Sequence, residues 1–221
     1  MITAIIGVGN LGSALARQLV AVEEDLLVVA AKDETHAAEL AHELGPRVEP
    51  ALVEDAIAPA DVIILALWLD QIKELLREQA HLLEHKVVVD PSNPLGFDEQ
   101  GQVFRTLRDG ESAGAIVASL LPASAHYVKA FGTLGADSLA SSANRKPHRV
   151  VLFYATDDDV AAGTVEQLIR AAGFEPVRAG GFADAGRIEG PNGDLSQYGL
   201  NGALLDLDEA REVLAKTEVT A

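Results

Sequence analysis

Apolar positions in this chain fall into short runs separated by stretches of helical periodicity. Ile2-Thr3-Ala4-Ile5-Ile6 is the first run, and Leu11, Leu15, Leu19 and Val20 then recur at helix spacing. The alternation continues to the end. It predicts strands over 2–6, 26–30, 61–67, 86–90, 125–130, 149–154 and 174–178. It predicts helices over 11–21, 34–44, 51–57, 70–83, 111–120, 135–141, 158–172 and 206–215. Val62-Ile63-Ile64-Leu65-Ala66-Leu67 and Val87-Val88-Val89 are apolar without alternation, as strands buried on both faces should be. Strands alternating with helices point to an α/β fold with a doubly wound, mostly parallel sheet. The stretches 91–110 and 189–203, rich in Pro and Gly, read as long loops. The rhythm resumes after the first of them, so one domain over 1–221 is expected. Its parts are a half over 1–96, a second half over 97–190, and a loop with a C-terminal helix over 191–221.

The first strand-to-helix turn carries candidate chemistry. Gly7-Val8-Gly9-Asn10-Leu11-Gly12 is a GxGxxG set between an apolar run and a helical pattern, the context that gives this motif meaning. Gly7 permits a tight turn, Gly9 lets a pyrophosphate reach the backbone, and Gly12 lets helix and strand pack closely. The helix start adds unpaired N–H groups and the positive end of a dipole. A Rossmann-type dinucleotide-binding fold follows.

Composition narrows the setting. Hydrophobic residues make up 48% of 221 positions, enough for a sizeable core, and no apolar run approaches the ~20 residues of a membrane helix. No basic region precedes the first apolar run, so no signal peptide is expected. Cysteine is absent, which rules out disulfides and thiolate metal sites and fits a cytoplasmic protein. A net charge of −17 disfavours nucleic acid and anionic membranes as partners. An anion site must then be built locally, from backbone N–H groups and a few cations.

The second strand bears on which dinucleotide is bound. In NAD enzymes an acid at its tip accepts bonds from the ribose 2′-OH. Here the strand ends Val28-Val29-Ala30-Ala31-Lys32, with no carboxylate at the tip. Lys32, with His36 a turn later, suits a 2′-phosphate, which favours NADP(H). Asp33 and Glu34 lie close enough to turn back toward the ribose.

Longer motifs resemble one family. Gly-Val-Gly-Asn-Leu-Gly at 7–12, Val-Asp-Pro-Ser-Asn-Pro-Leu at 89–95, Val-Lys-Ala-Phe-Gly-Thr at 128–133 and Leu-Phe-Tyr-Ala-Thr-Asp-Asp at 152–158 are similar to those of the F420-dependent NADP oxidoreductases. So are Gly-Phe-Glu-Pro-Val-Arg-Ala-Gly at 173–180 and Arg187-Ile188-Glu189. The resemblance implies hydride transfer between NADPH and a flat ring, coenzyme F420 or flavin, at the C-terminal edge of the sheet. It implies that Gly9, Asn10, Leu11 and Gly12 cradle the pyrophosphate and that Ala31 and Lys32 stand where a Ser/Thr-Arg pair usually grips the 2′-phosphate. Leu67 and Trp68 would lie beside the nicotinamide, and Asn93 and Pro94 would line the ring site. Leu95, Phe131, Gly132, Thr133 and Leu134 would border the acceptor. Three positions depart from the family pattern: Ala31 lacks a hydroxyl, Trp68 replaces a common proline, and Gly132 replaces an Asn or His. Gly132 is expected to leave room for a bulkier ring. A homodimer is implied too, and the apolar tail residues Leu204, Leu205, Leu207, Val213 and Leu214 offer a surface for it.

Other readings remain. No Ser/His/Asp set or paired carboxylates appear, and direct hydride transfer needs none. Lys129 follows a strand, as a weak catalytic candidate or as a lysine reaching solvent. His81 and His85 are four residues apart but lack the third ligand a zinc site needs, so no metal is expected. A reductase of a small organic substrate, of the β-hydroxyacid or pyrroline-carboxylate dehydrogenase type, would need a long helical C-terminal domain, and little chain follows Glu189. A catalytically silent NADP(H)-binding sensor is the alternative that Gly132 keeps open.

Overall fold

In the computed structural model, which describes residues 1–20 and 26–218, apolar runs and helical stripes alternate much as their pattern predicts. β1 (Ile2–Ile6), α1 (Asn10–Leu19), β2 (Leu26–Ala30), α2 (Glu34–Leu44), β3 (Val48–Ala51), α3 (Val53–Ile57) and β4 (Val62–Leu65) form the first half. α4 (Leu69–Gln79), which runs into a 3₁₀ turn, β5 (Val87–Asp90), the hairpin β6 (Leu95–Phe97) and β7 (Val103–Arg105), α5 (Ala113–Leu120) and β8 (His126–Lys129) follow. α6 (Ala136–Ser142), β9 (Val151–Ala155), α7 (Asp159–Ala171), β10 (Glu175–Gly180), a 3₁₀ segment over Phe182–Ile188 and α8 (Leu207–Glu218) complete the chain.

Eight strands form one sheet in the order β10-β9-β8-β5-β4-β1-β2-β3. Six of them, from β3 to β8, are parallel. β9 joins β8 through one antiparallel bridge, Lys129 to Ala155, and β10 runs parallel to β9. The chain leaves β1 in both directions, so the switch point lies between β1 and β4, where open α/β sheets bind ligands.

Burial explains the unalternating strands. Ile5, Val29, Ile64 and Val89 pack on one face with α1, α2 and α7. Their neighbours Ala4, Ile6, Val28, Ile63, Leu65 and Val88 pack on the other with α3, α4 and α5. Helix starts are fixed by side-chain caps: Asp33 on α2, Ser112 on α5 and Asp158 on α7.

The structure corrects several element boundaries. β3 is an edge strand that contains Pro50, tolerated because an edge need not donate every ladder bond. Its Ala51 pairs with Ala30, so the helix expected from 51 starts at Val53. The 91–110 loop contains the β6–β7 hairpin, too short to leave a periodic signal. The last expected position of α1, 21, lies outside the described residues. The apolar tail packs on its own domain: Leu205, Val213 and Leu214 meet Val151, Phe153 and Ala179, and Leu204 joins the first cluster. The tail therefore no longer argues for a dimer.

Candidate functional site

Two loops at the switch point build a cradle. Gly7 turns the chain at φ 102°, and its N–H donates to the Ala30 carbonyl at 2.7 Å. That conformation favours glycine, and a Cβ there would meet the Ala66 carbonyl and the Leu67 side chain. A Cβ on Gly12 would run into the Gly7 carbonyl oxygen. Gly9 differs: its backbone is extended and a Cβ would meet nothing within 4 Å. Gly9 is also the N-cap of α1, with no side-chain cap and no acid in the first turn. The Ser13 hydroxyl secures the loop by donating to the Val8 carbonyl at 2.7 Å. Gly7 and Gly12 thus shape the turn, whereas Gly9, beside Asn10 and Leu11, faces open space at a helix N-terminus. An anion fits there.

At the tip of β2, Ala31 is half-buried, while Lys32 and His36 are exposed. Asp33, a possible ribose partner, accepts from the Thr35 N–H at 3.0 Å and caps α2, and its carboxylate lies 3.5 Å from the His36 ring. The Thr35 N–H, helped by His36, holds the Asp33 carboxyl below the ordinary aspartate value. Lys32 makes no ion pair among the described residues.

On the other side of the crevice the structure closes a floor from three distant segments. Lys129, 1% exposed, sits inside it and donates to Asp90 at 2.9 Å, to the Ser92 hydroxyl at 3.3 Å and to the Ser92 carbonyl. Glu189 lies 3.7 Å from the same ammonium. The Glu189 carboxylate accepts from the Ser112 hydroxyl at 2.8 Å and from the Ala113 and Gly114 N–H groups at 3.0 and 2.7 Å. It thereby caps α5 from far along the chain. The Tyr127 hydroxyl donates to Asp90 at 2.8 Å, and burial, with Asp90 and Glu189 close by, pushes its phenol well above the ordinary range. Lys129 therefore does not reach solvent. It binds a buried network of two carboxylates.

Asn93 ties the floor to its neighbours, donating to the Gly132 carbonyl at 2.8 Å and accepting from the Gly190 N–H at 2.9 Å. The Pro94 carbonyl accepts from Thr106, which anchors the hairpin where Leu95 lies half-buried. Gly132 is corrected in role: a Cβ there would stand 2.5 Å from the Pro91 carbonyl oxygen. It is bare because the Pro91 loop fills the space, not because a larger ring needs it. Phe131 turns the chain at φ 65°, is fully buried, and packs in the core with Leu134. The Thr133 hydroxyl is buried and has no hydrogen-bond partner among the described residues. Trp68, three residues past the end of β4 and at the N-cap of α4, is half-exposed and meets Phe97 edge to face at 6.2 Å.

Asp90 and Glu189 went unassigned in the sequence although both stand in its motifs. The available signal was a carboxylate ending an otherwise apolar buried strand, Val87-Val88-Val89-Asp90, beside a lysine in Tyr127-Val128-Lys129-Ala130-Phe131. Charges in such runs are buried and must find each other.

Comparison with known proteins agrees with this geometry. The metalloreductase STEAP3 of Rattus norvegicus is 30% identical over 185 residues, covering 84% of this chain and 35% of that protein, so the chain spans about a third of that relative. The crystal structure of a hypothetical protein from Sinorhizobium meliloti is 31% identical with a TM-score of 0.74, covering 94% of this chain and 95% of that one. A putative F420-dependent NADP reductase from Arthrobacter sp. fb24 shares the fold, at 22% identity and a TM-score of 0.71, covering 83% of this chain and 86% of that one. The family model described as NADP oxidoreductase coenzyme F420-dependent matches residues 2–94, from β1 through the Asn93-Pro94 turn. Over those residues, somewhat less than half of the chain, the protein is similar to the F420-dependent NADP oxidoreductase family.

Proposed function

We propose that the protein is an NADP(H)-dependent oxidoreductase that passes a hydride between NADPH and a planar redox ring of the F420 or flavin kind. The open backbone at Gly9, on an uncapped helix start, carries this reading. It is a cradle that a Cβ would fill, and the resemblance of residues 2–94 to the NADP oxidoreductase family model suggests its ligand. When bound, the reduced nicotinamide supplies a hydride with its electron pair, and the acceptor ring takes up that hydride with a proton from water.

The chain's residues bind and orient. The N–H groups at the start of α1 hold the pyrophosphate, and Lys32 stands free to meet the 2′-phosphate. Leu67 walls the crevice beside the Gly7 turn. Ser92, Asn93 and Thr133 border the acceptor side, held in place by the network around Lys129. No proton donor is required of the protein, since the ring's proton exchanges with solvent, and Lys129 with its carboxylates is built in as support. The reading as a silent sensor loses its one observation, because Gly132 is explained by packing.

The test is direct. Protein mixed with NADPH and F420, FMN or FAD should consume the reduced-nicotinamide absorbance with at least one of them. Failure with all three overturns the acceptor class. Lys32→Ala should weaken NADPH more than NADH by about 1–3 kcal/mol, the loss of a charged hydrogen bond, measured by calorimetry. Equal affinities for the two cofactors in the parent protein would refute the role of Lys32. A homodimer, as the family resemblance implies, is checked by light scattering.

A further inference from the structure

The chain holds one tryptophan and six phenylalanines, and two of these seven rings meet in the open. Trp68 is 54% exposed and Phe97 is 56% exposed, with centroids 6.2 Å apart and ring planes at 89°. Large apolar rings are ordinarily drawn into the core, and a contiguous exposed pair marks a binding surface. The pair is also held firmly. The Trp68 backbone N–H donates to the Gln71 side chain at 3.2 Å, which fixes the main chain at the start of α4. Phe97 stands on the hairpin, whose Phe104 ring lies across the bare backbone of its cross-strand partner Gly96. The pair adjoins the cradle as well. Leu67, one residue before Trp68, would meet a Cβ on Gly7.

We propose that Trp68 and Phe97 form the stacking corner for the planar ring of the hydride acceptor, an isoalloxazine-type ring, and set its affinity. This rests on the oxidoreductase reading above. Two rings at right angles offer an incoming plane one face to stack on and one edge to abut, the arrangement that aromatic groups favour. The corner supplies apolar area and no charge. On a surface of net charge −17 it therefore attracts the ring of an acceptor and not an anionic tail. A second copy of this chain is the rival occupant, and the experiment must tell them apart.

Because Trp68 is the chain's one tryptophan, its fluorescence reports on this corner alone. Riboflavin serves as an uncharged probe, added to the full chain with and without saturating NADP+ and corrected against free tryptophan. The expected result is a saturable loss of Trp68 emission on riboflavin addition, beyond whatever change saturating NADP+ produces by itself. Phe97→Ala, at an exposed position, should fold normally and weaken riboflavin about threefold to tenfold. Its calorimetric affinity for NADP+ should be unchanged. Intact NADP+ binding with no saturable riboflavin effect overturns the stacking corner and leaves the cofactor reading standing. Absent NADP+ binding with a saturable riboflavin effect does the reverse. A dimer that Phe97→Ala splits while riboflavin affinity holds shows a subunit contact instead, and overturns the proposal.

Discussion

The two sides of the crevice are built by opposite means. The cradle uses seven consecutive residues, 7–13, and almost no side-chain chemistry: a left-handed glycine, a close approach and a bare N-cap. The floor joins residues 37 to 97 positions apart through hydrogen bonds, and its centre is an ammonium between two carboxylates. Backbone donors facing open space are available to an arriving ligand. Charges satisfied inside the protein are not, and their effect is to hold loops still. The difference separates open contacts from support: the cradle leaves backbone donors unused, while the floor holds the 90–93 and 189–190 segments together.

The largest effect should come from breaking the floor. Lys129→Met removes the one cation and leaves Asp90 and Glu189 buried without it. Removing one partner of a buried pair costs about 3–5 kcal/mol, and a denaturant titration of the folded chain should read a loss of that size. If Lys129→Met is as stable as the parent, the network is not holding the 90–93 and 189–190 segments together, and the contrast fails.

The cradle breaks differently at each glycine. Gly12→Ala places a methyl group on the Gly7 carbonyl and should destabilise the fold by roughly 1–3 kcal/mol, as overpacking does. A Cβ at Gly9 meets no protein atom within 4 Å, so the melting temperature of Gly9→Val should hold while NADPH affinity falls by more than about tenfold, or ~1.4 kcal/mol. A folded Gly9→Val protein with undiminished NADPH affinity would take the glycine loop out of the site.

These contrasts explain what the sequence could and could not reveal. The cradle was legible because its meaning is local: spacing of glycines, an apolar run before, a helical stripe after. The doubly wound sheet was legible for the same reason, since Val62–Leu65 and Val87–Val89 are apolar at every position. The floor was not. Nothing in the order of residues says that Glu189 returns to cap α5, or that Pro91 fills the space beside Gly132. Lys129 looked like a solvent-reaching lysine because its partners lie 39 and 60 positions away. The edge strand β3, with only Val48 buried, and the short hairpin escaped because edge strands and three-residue strands leave no periodic pattern.

The smallest effect sharpens the same contrast within one strand. β8 ends at the buried pair of Lys129 and Asp90 and begins at a partly exposed one, His126 to Asp158 at 2.7 Å. Partial burial pushes the Asp158 carboxyl up, but the Ala161 N–H and the His126 ring outweigh it and hold it below the ordinary aspartate value. A group whose folded pKa is depressed adds stability that is present above its unfolded pKa and is lost as pH falls through the folded one. Asp158→Ala should therefore cost about 1 kcal/mol at neutral pH, chiefly the lost cap on α7. The gap between parent and variant should shrink once the pH drops below the ordinary aspartate value. Chemical denaturation at a series of pH values reads it. A gap as large as that of Lys129→Met would mean that the exposed end of β8 bears as much as the buried one, and that burial is not what sets the floor apart.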